Sequence, residues 1–176
     1  MTKFSVGFTS DLHLGHALAA RLRGFESVEA HDYSIIETLR AQCSKRSLLW
    51  VLGDVAMRIE SLDLLASVPG RKRLVRGNHD NFQLGVYAKY FEDVHGFLRY
   101  KKMWLSHCPI HTQEMCRVKI NVHGHIHDNA ATKPIGWPYL DVNWDFWRRA
   151  ISLEEVIACR DSAWSGWFPI RNVSES

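Results

Sequence analysis

Hydrophobic and polar positions alternate at the start of the chain. Phe4, Val6 and Phe8 are separated by Ser5 and Gly7, and polar residues end the run, which predicts a first strand. The period then changes. Over 32–43, Ile35, Ile36, Leu39 and Cys43 recur at helical spacing, with Lys45 and Arg46 as favourable charges at the C-terminal end. "SLLWVLGD" is a continuous apolar run stopping at Gly53, as expected of a strand buried on both faces. "IESLDLLASV" predicts a helix ending before Pro69 and Gly70, "RKRLVRGN" a short strand with a solvated edge, and 83–91 another helix. Four short strand candidates come next, "GFLRY", "KMWLSH", "VKINVHG" and "YLDVN", the first two joined by a hairpin at Lys101 and Lys102. The last helix is predicted to start at Ser152, where "SLEE" forms a capping box with Glu155. Alternating strand and helix early, then mostly strand, predict a layered α/β sandwich with a mixed sheet.

Composition narrows the class. The 176 residues predict a single domain, 1–176, long enough to bury a core, and 46% hydrophobic with 23% charged residues exclude a disordered chain. A net charge of +3 permits an anionic ligand but gives no dedicated nucleic-acid surface. Four scattered cysteines without a C-x-x-C, no signal-type h-region and no membrane-length apolar run predict a reduced, cytoplasmic protein. Ten histidines are many for this length, and five of them sit beside Asp, Asn or Gly in short clusters.

Five polar clusters fall at the ends of predicted strands: Asp11 and His13 in "SDLHLGH", Asp54 in "LGDVA", Asn78, His79 and Asp80 in "RGNHDN", His107 in "LSHCP", and His125 and His127 in "GHIH". In open α/β sheets functional groups converge beyond the carboxyl ends of strands. Two carboxylates, four imidazoles and an amide oxygen suit borderline divalent ions, manganese first among them, with iron, nickel, cobalt or zinc as alternatives. Seven ligands exceed one tetrahedral site and suit two ions sharing a carboxylate. Two dications and two aspartates leave a charge that favours a bridging hydroxide and a phosphate together.

The ordered set D-x-H, G-D, G-N-H-D, S-H and G-H-x-H over residues 11–127 resembles the calcineurin-like metallophosphoesterase superfamily. The resemblance implies a four-layer α/β/β/α sandwich with two mixed sheets. It also implies a first metal on Asp11, His13, Asp54 and His127, and a second on Asp54, Asn78, His107 and His125, with Asp54 bridging. His79 matches the family's catalytic histidine, which protonates the leaving oxygen, and Asp80 would orient it. Gly124 would let the backbone turn tightly beside the metals, and His123 would support a ligand or line the pocket.

Motifs and resemblance together imply a binuclear phosphoester hydrolase, small and uncapped. It would act on a small phosphoester, with a nucleotide among the candidates, and more as a phosphodiesterase than as a strict monoesterase. A phosphomonoesterase or nucleotide pyrophosphatase, and a non-catalytic metal-binding scaffold, are the alternatives. The sequence departs from the protein phosphatases, with Met57 where their second motif has Asp and Asp80 where their third has Glu. It departs from the hydrolases of UDP-diacylglucosamine, which carry arginine at the position of His79. His31, His95 and His111 read as satisfied surface or core groups, and His16 stays open. Trp137, Trp144 and Trp147 read as packing or as a stacking platform, and Arg58 and Arg117 as candidate phosphate contacts.

Overall fold

The structure is a computed structural model that describes residues 3–127 and 138–161. Its strands form two sheets. In the first, β4 (Asp93–His95), β3 (Arg71–Val75), β2 (Leu48–Val51), β1 (Val6–Thr9) and β9 (Ile151–Ser152) lie in that order. The pairs among β1 to β4 are parallel and β9 runs antiparallel to β1. The second sheet runs β5 (Phe97–Tyr100), β6 (Met103–Ser106), β7 (Ile120–His123) and β8 (Tyr139–Asp141), antiparallel at β5 and parallel after it. Both sheets are mixed, as expected.

Period-two alternation decides which core each side chain joins. Along β2, Leu49 and Val51 point outward into a cluster with Ile35, Ile36 and Leu39 of α2 (Val28–Gln42). Leu48, Trp50 and Leu52 point inward, where they meet Met103, Leu105, Ile120 and Val122 of the second sheet. The continuous apolar run is therefore explained by burial on two faces. On the far side of the second sheet, Trp104 and Asn121 stand opposite each other in the ladder. Trp104 Nε1 donates to Glu114 O at 2.9 Å and Ile110 N donates to Asn121 Oδ1 at 2.8 Å, so the segment after β6, with its 3-10 turn Thr112–Met115, forms the covering layer.

Local signals hold where they are strong. Ser152 and Glu155 cap α6 (Leu153–Asp161) reciprocally, with N–H donors at 2.8 and 3.2 Å from the partner side chains. Lys101 and Lys102 both adopt positive φ, the geometry of a tight hairpin turn. Elsewhere the elements are shorter than the pattern implied. The run at 59–68 is one α-turn, α3 (Ile59–Leu62), continued as a 3-10 helix, Asp63–Ser67, and 83–91 holds only α4 (Leu84–Tyr87). α1 (Ala17–Leu22), β4, β9 and α5 (Trp144–Trp147) are too short for a period to be legible.

The expected solvated edge at "RKRLVR" is corrected. β3 lies between β2 and β4, and its basic residues are accommodated individually. Lys72 is buried, its ammonium donating to Val68 O at 2.7 Å, while Arg73 pairs with Asp93 at 3.0 Å and covers the Trp50 ring. Leu105 is fully buried between the sheets. Leu105→Ala is expected to lower the unfolding free energy by about 2–5 kcal/mol in urea titrations. A loss below about 1 kcal/mol would show that the sheets do not pack through this position.

Candidate metal centre

The parallel strands explain why distant residues meet. Asp11 follows β1, Asp54 follows β2, Asn78 to Asp80 follow β3, His107 follows β6, and His125 and His127 follow β7. Parallel neighbours present their carboxyl ends to the same side, so both sheets deliver their loops to one point.

There the donors fall into two groups that share Asp54. In the first, His13 Nε2 lies 3.3 Å from His127 Nε2 and 3.8 Å from both Asp11 Oδ1 and Asp54 Oδ2, and His127 Nε2 lies 3.5 Å from Asp11 Oδ1. In the second, His107 Nε2 stands 3.5 Å from Asp54 Oδ2 and 2.9 Å from Asn78 Oδ1. His125 Nδ1 lies 3.0 Å from that same amide oxygen and 3.2 Å from His107 Nε2. All seven expected ligand residues converge.

Hydrogen bonds fix which ring nitrogens face inward. Leu52 O can only accept, so His107 Nδ1 donates to it at 2.8 Å and Nε2 is directed at the cluster. Likewise His127 Nδ1 donates to Asp145 Oδ2 at 2.7 Å, leaving Nε2 toward Asp11 and His13. Burial pushes the His107 imidazole down, but the Asp54 and Asp11 carboxylates outweigh it and hold its pKa up at about 9. Burial raises the Asp11 carboxyl, and it lowers the His13 imidazole to about 3.

The backbone bends sharply to achieve this. Asp11, His13, Asp54 and His125 all have φ between 51° and 72°, a region that L-residues occupy at about 1–3 kcal/mol each. Glycines remove the obstacles. A Cβ on Gly77 would collide with Asp54 Oδ1, and one on Gly124 with Ser10 Oγ and Asp11 Oδ2. Gly124 thus lacks a side chain where the backbone turns tightly beside the carboxylates, Ile126 N donating to Gly124 O at 2.9 Å around the positive φ of His125.

Outside the donors, His79 is exposed, its ring centroid 5.6 Å from that of His13, and its N–H donates to Asp54 Oδ1 at 2.9 Å. The expected orientation of its ring by Asp80 is corrected. The Asp80 carboxylate is buried and accepts from the backbone N–H groups of Asp54, Val55 and Gly77 at 2.9, 3.0 and 2.8 Å. It ties the Asp54 loop to the turn that carries Asn78 and His79, so it positions backbone rather than an imidazole.

One family model, described as calcineurin-like phosphoesterase, matches residues 4–168. The chain belongs to the calcineurin-like phosphoesterase family. Relatives of this chain include the Gene 66 protein of Mycobacterium phage L5, 30% identical over 85% of this chain and 90% of that one. The Gene 66 protein of Mycobacterium phage D29 is 41% identical over 43% of this chain and 40% of its own length. A crystal structure of the protein of unknown function AQ665 from Aquifex aeolicus has the same fold, with a TM-score of 0.69 and 24% identity over 87% of this chain and 97% of that one.

The donors of this family member fit divalent cations. Ligands about 2.0–2.2 Å from a common ion lie roughly 3–3.6 Å from one another, close to the separations within each group. Asp11 Oδ1 is buried without a hydrogen-bond partner, an arrangement that is costly unless a cation meets it. Two triplets of carboxylates and imidazoles, Asp11–His13–His127 and Asp11–Asp54–His107, and a third with a thiol, His107–Cys108–His125, each bring their ligand atoms within 4.8 Å of one another.

A supporting network was not legible in the sequence. Arg23 donates to the carbonyls of Asp11 and Leu12 at 2.7 and 2.8 Å and pairs with Asp145 at 2.6 Å, and Asp145 in turn orients His127. His31, buried beside Arg23 and bonded to Asp32 at 2.7 Å, is a satisfied core group. Only Asp145, two residues after the strand-end Asn143, carried a detectable signal, and the surrounding tryptophans concealed it. Other candidates lie apart. His123 Nδ1 bonds to Gly124 O, His111 caps the 3-10 turn, and His95 packs on Trp50. Trp144 is core and Trp147 Nε1 donates to Asp141 O, which favours packing over stacking, while Trp137 lies outside the described residues. Arg58 and Arg117 line neither cleft beside the centre. Cys43 is a buried thiol and Cys108 and Cys116 are exposed ones, and among the described residues no helix is long and apolar enough to cross a membrane.

Because the His107 imidazole is protonated up to about pH 9, a cation must displace a proton to reach it. Manganese affinity, measured by titration calorimetry in buffers of different ionisation enthalpy, is expected to rise by about tenfold per pH unit toward pH 9 with proton release. Affinity independent of pH over that range would refute His107 as a ligand.

Proposed function

We propose that this chain is a binuclear metal-dependent phosphoester hydrolase that holds two divalent ions, manganese first among the candidates, and acts on phosphodiesters in preference to monoesters. The observation that carries the reading is the pair of donor groups sharing Asp54. Ions bound there would supply a nucleophile from water near neutral pH and would hold the phosphoryl oxygens.

The residues around the ions have separate tasks. Asp54, fixed by the His79 N–H at one oxygen, is aimed at both groups through the other. Arg23 and Asp145 keep His127 in the tautomer that presents Nε2. His79 would protonate the departing oxygen, a role supported by its exposure and by its ring lying 5.6 Å from that of His13. The diester preference rests on space. Clefts of about 510 and 400 Å³ open on the two sides of the centre, the first beside His13, His79 and His127, the second beside Asn78 and His107. A phosphorus between them can carry a substituent in each direction.

With manganese present, bis(p-nitrophenyl) phosphate and 2′,3′-cyclic nucleotides are expected to be turned over faster than p-nitrophenyl phosphate. Turnover of the monoester alone would overturn the diester preference. Asp54→Ala is expected to abolish activity. His79→Ala should lower kcat by about 10²–10⁴-fold on alkyl leaving groups, which need a proton, and far less on p-nitrophenolate, which does not. If neither variant changes the turnover of any phosphoester, the enzyme reading fails and the scaffold alternative stands.

A further inference from the structure

The second cleft contains more than phosphate chemistry requires. Phe97, on the edge strand β5, is 62% exposed, yet it stands opposite Ser106 in the ladder, one residue from His107. Its ring packs on that of Trp104, with centroids 5.5 Å apart and planes at 59°. Pro109 and Ile110 complete an apolar trough. Its walls are pinned: Trp104 by the bond to Glu114 O, and Ile110 by bonds from its N–H to Asn121 and to its carbonyl from Tyr139 at 2.7 Å. Asn78 and His107 belong both to the second donor group and to the lining of this cleft. Arg76 also lines it; its guanidinium is held by backbone carbonyls of Asp80 and Phe82, and it makes no ion pair among the described residues, so its positive charge stands beside the trough.

An exposed aromatic ring beside a phosphate-binding centre has a specific complement. We propose that this cleft is a nucleobase subsite: the substrate is a nucleotide whose phosphate lies at the metal centre and whose base stacks on Phe97 against the Trp104 wall. The volume of about 400 Å³ is within the range of small-ligand pockets and exceeds what a phosphate alone would occupy. Stacking suits this surface because every base has an apolar face, whereas an alkyl substituent would leave the Phe97 ring largely wet. The Arg76 charge complements the anion at the inner end. This inference rests on the phosphoesterase reading and extends it to a substrate class.

The test compares adenosine 5′-monophosphate with ribose 5-phosphate, which has the same phosphate and sugar but no base, by calorimetric titration of the manganese-loaded protein. The nucleotide is expected to bind about tenfold or more tightly than the sugar phosphate. Phe97→Ala should reduce that ratio to near one while leaving ribose 5-phosphate affinity unchanged, and Phe97→Tyr should restore it. Equal affinities for the wild-type protein would overturn the subsite while leaving the phosphoesterase reading intact. So would a Phe97→Ala variant that weakens both ligands equally. Failure of both ligands to bind the wild type would also overturn the subsite, whereas the phosphoesterase reading, which favours diesters, stands or falls on the turnover of bis(p-nitrophenyl) phosphate.

Discussion

Asp54 is the constraint on which the molecule is organised. A buried carboxylate between two sets of imidazoles is held by a backbone N–H on one oxygen and directed by the other at His13 and His107. With Asp11 also buried and one of its oxygens unpartnered, the arrangement is electrostatically expensive as bare protein. Cations at the point of convergence would turn that expense into binding energy. The positive φ values at four of the seven donor residues are of the same kind: local strain that the surrounding sheets over-determine.

The sheets provide that rigidity through a core with two faces. Leu49 and Val51 lock β2 to the helices, while Trp50 and Leu52 lock it to the second sheet, so the strand that delivers Asp54 cannot shift toward either. Asp80 then ties the Asp54 loop to the turn bearing Asn78 and His79, and Gly77 and Gly124 let backbone approach the carboxylates without a side chain between. Solvent reaches this frame at the exposed His79 and through the two clefts.

Much of this is legible in the chain because it is written in short-range pattern. The apolar run at 48–52, the capping box at Ser152 and the Lys101–Lys102 turn each express a local rule, and the ordered clusters at strand ends express the site. What escapes is long-range or negative in character. The roles of Arg23 and Asp145 depend on a contact 122 residues apart. Proximity in sequence pairs Asp80 with His79, but three backbone amides from two loops compete for its carboxylate and win. β3 reads as an edge because its arginines and lysine are polar; only the partner strands reveal that their stems and charges are accommodated within the sheet.

The sharing of one carboxylate by two ions can be tested without any substrate. Protein loaded with manganese should bind two ions per chain, and its electron paramagnetic resonance should show the exchange coupling of neighbouring ions bridged by a common ligand. Asp54→Asn should lose that coupling. A single ion per chain, or two whose spectra are those of isolated ions, would contradict the account.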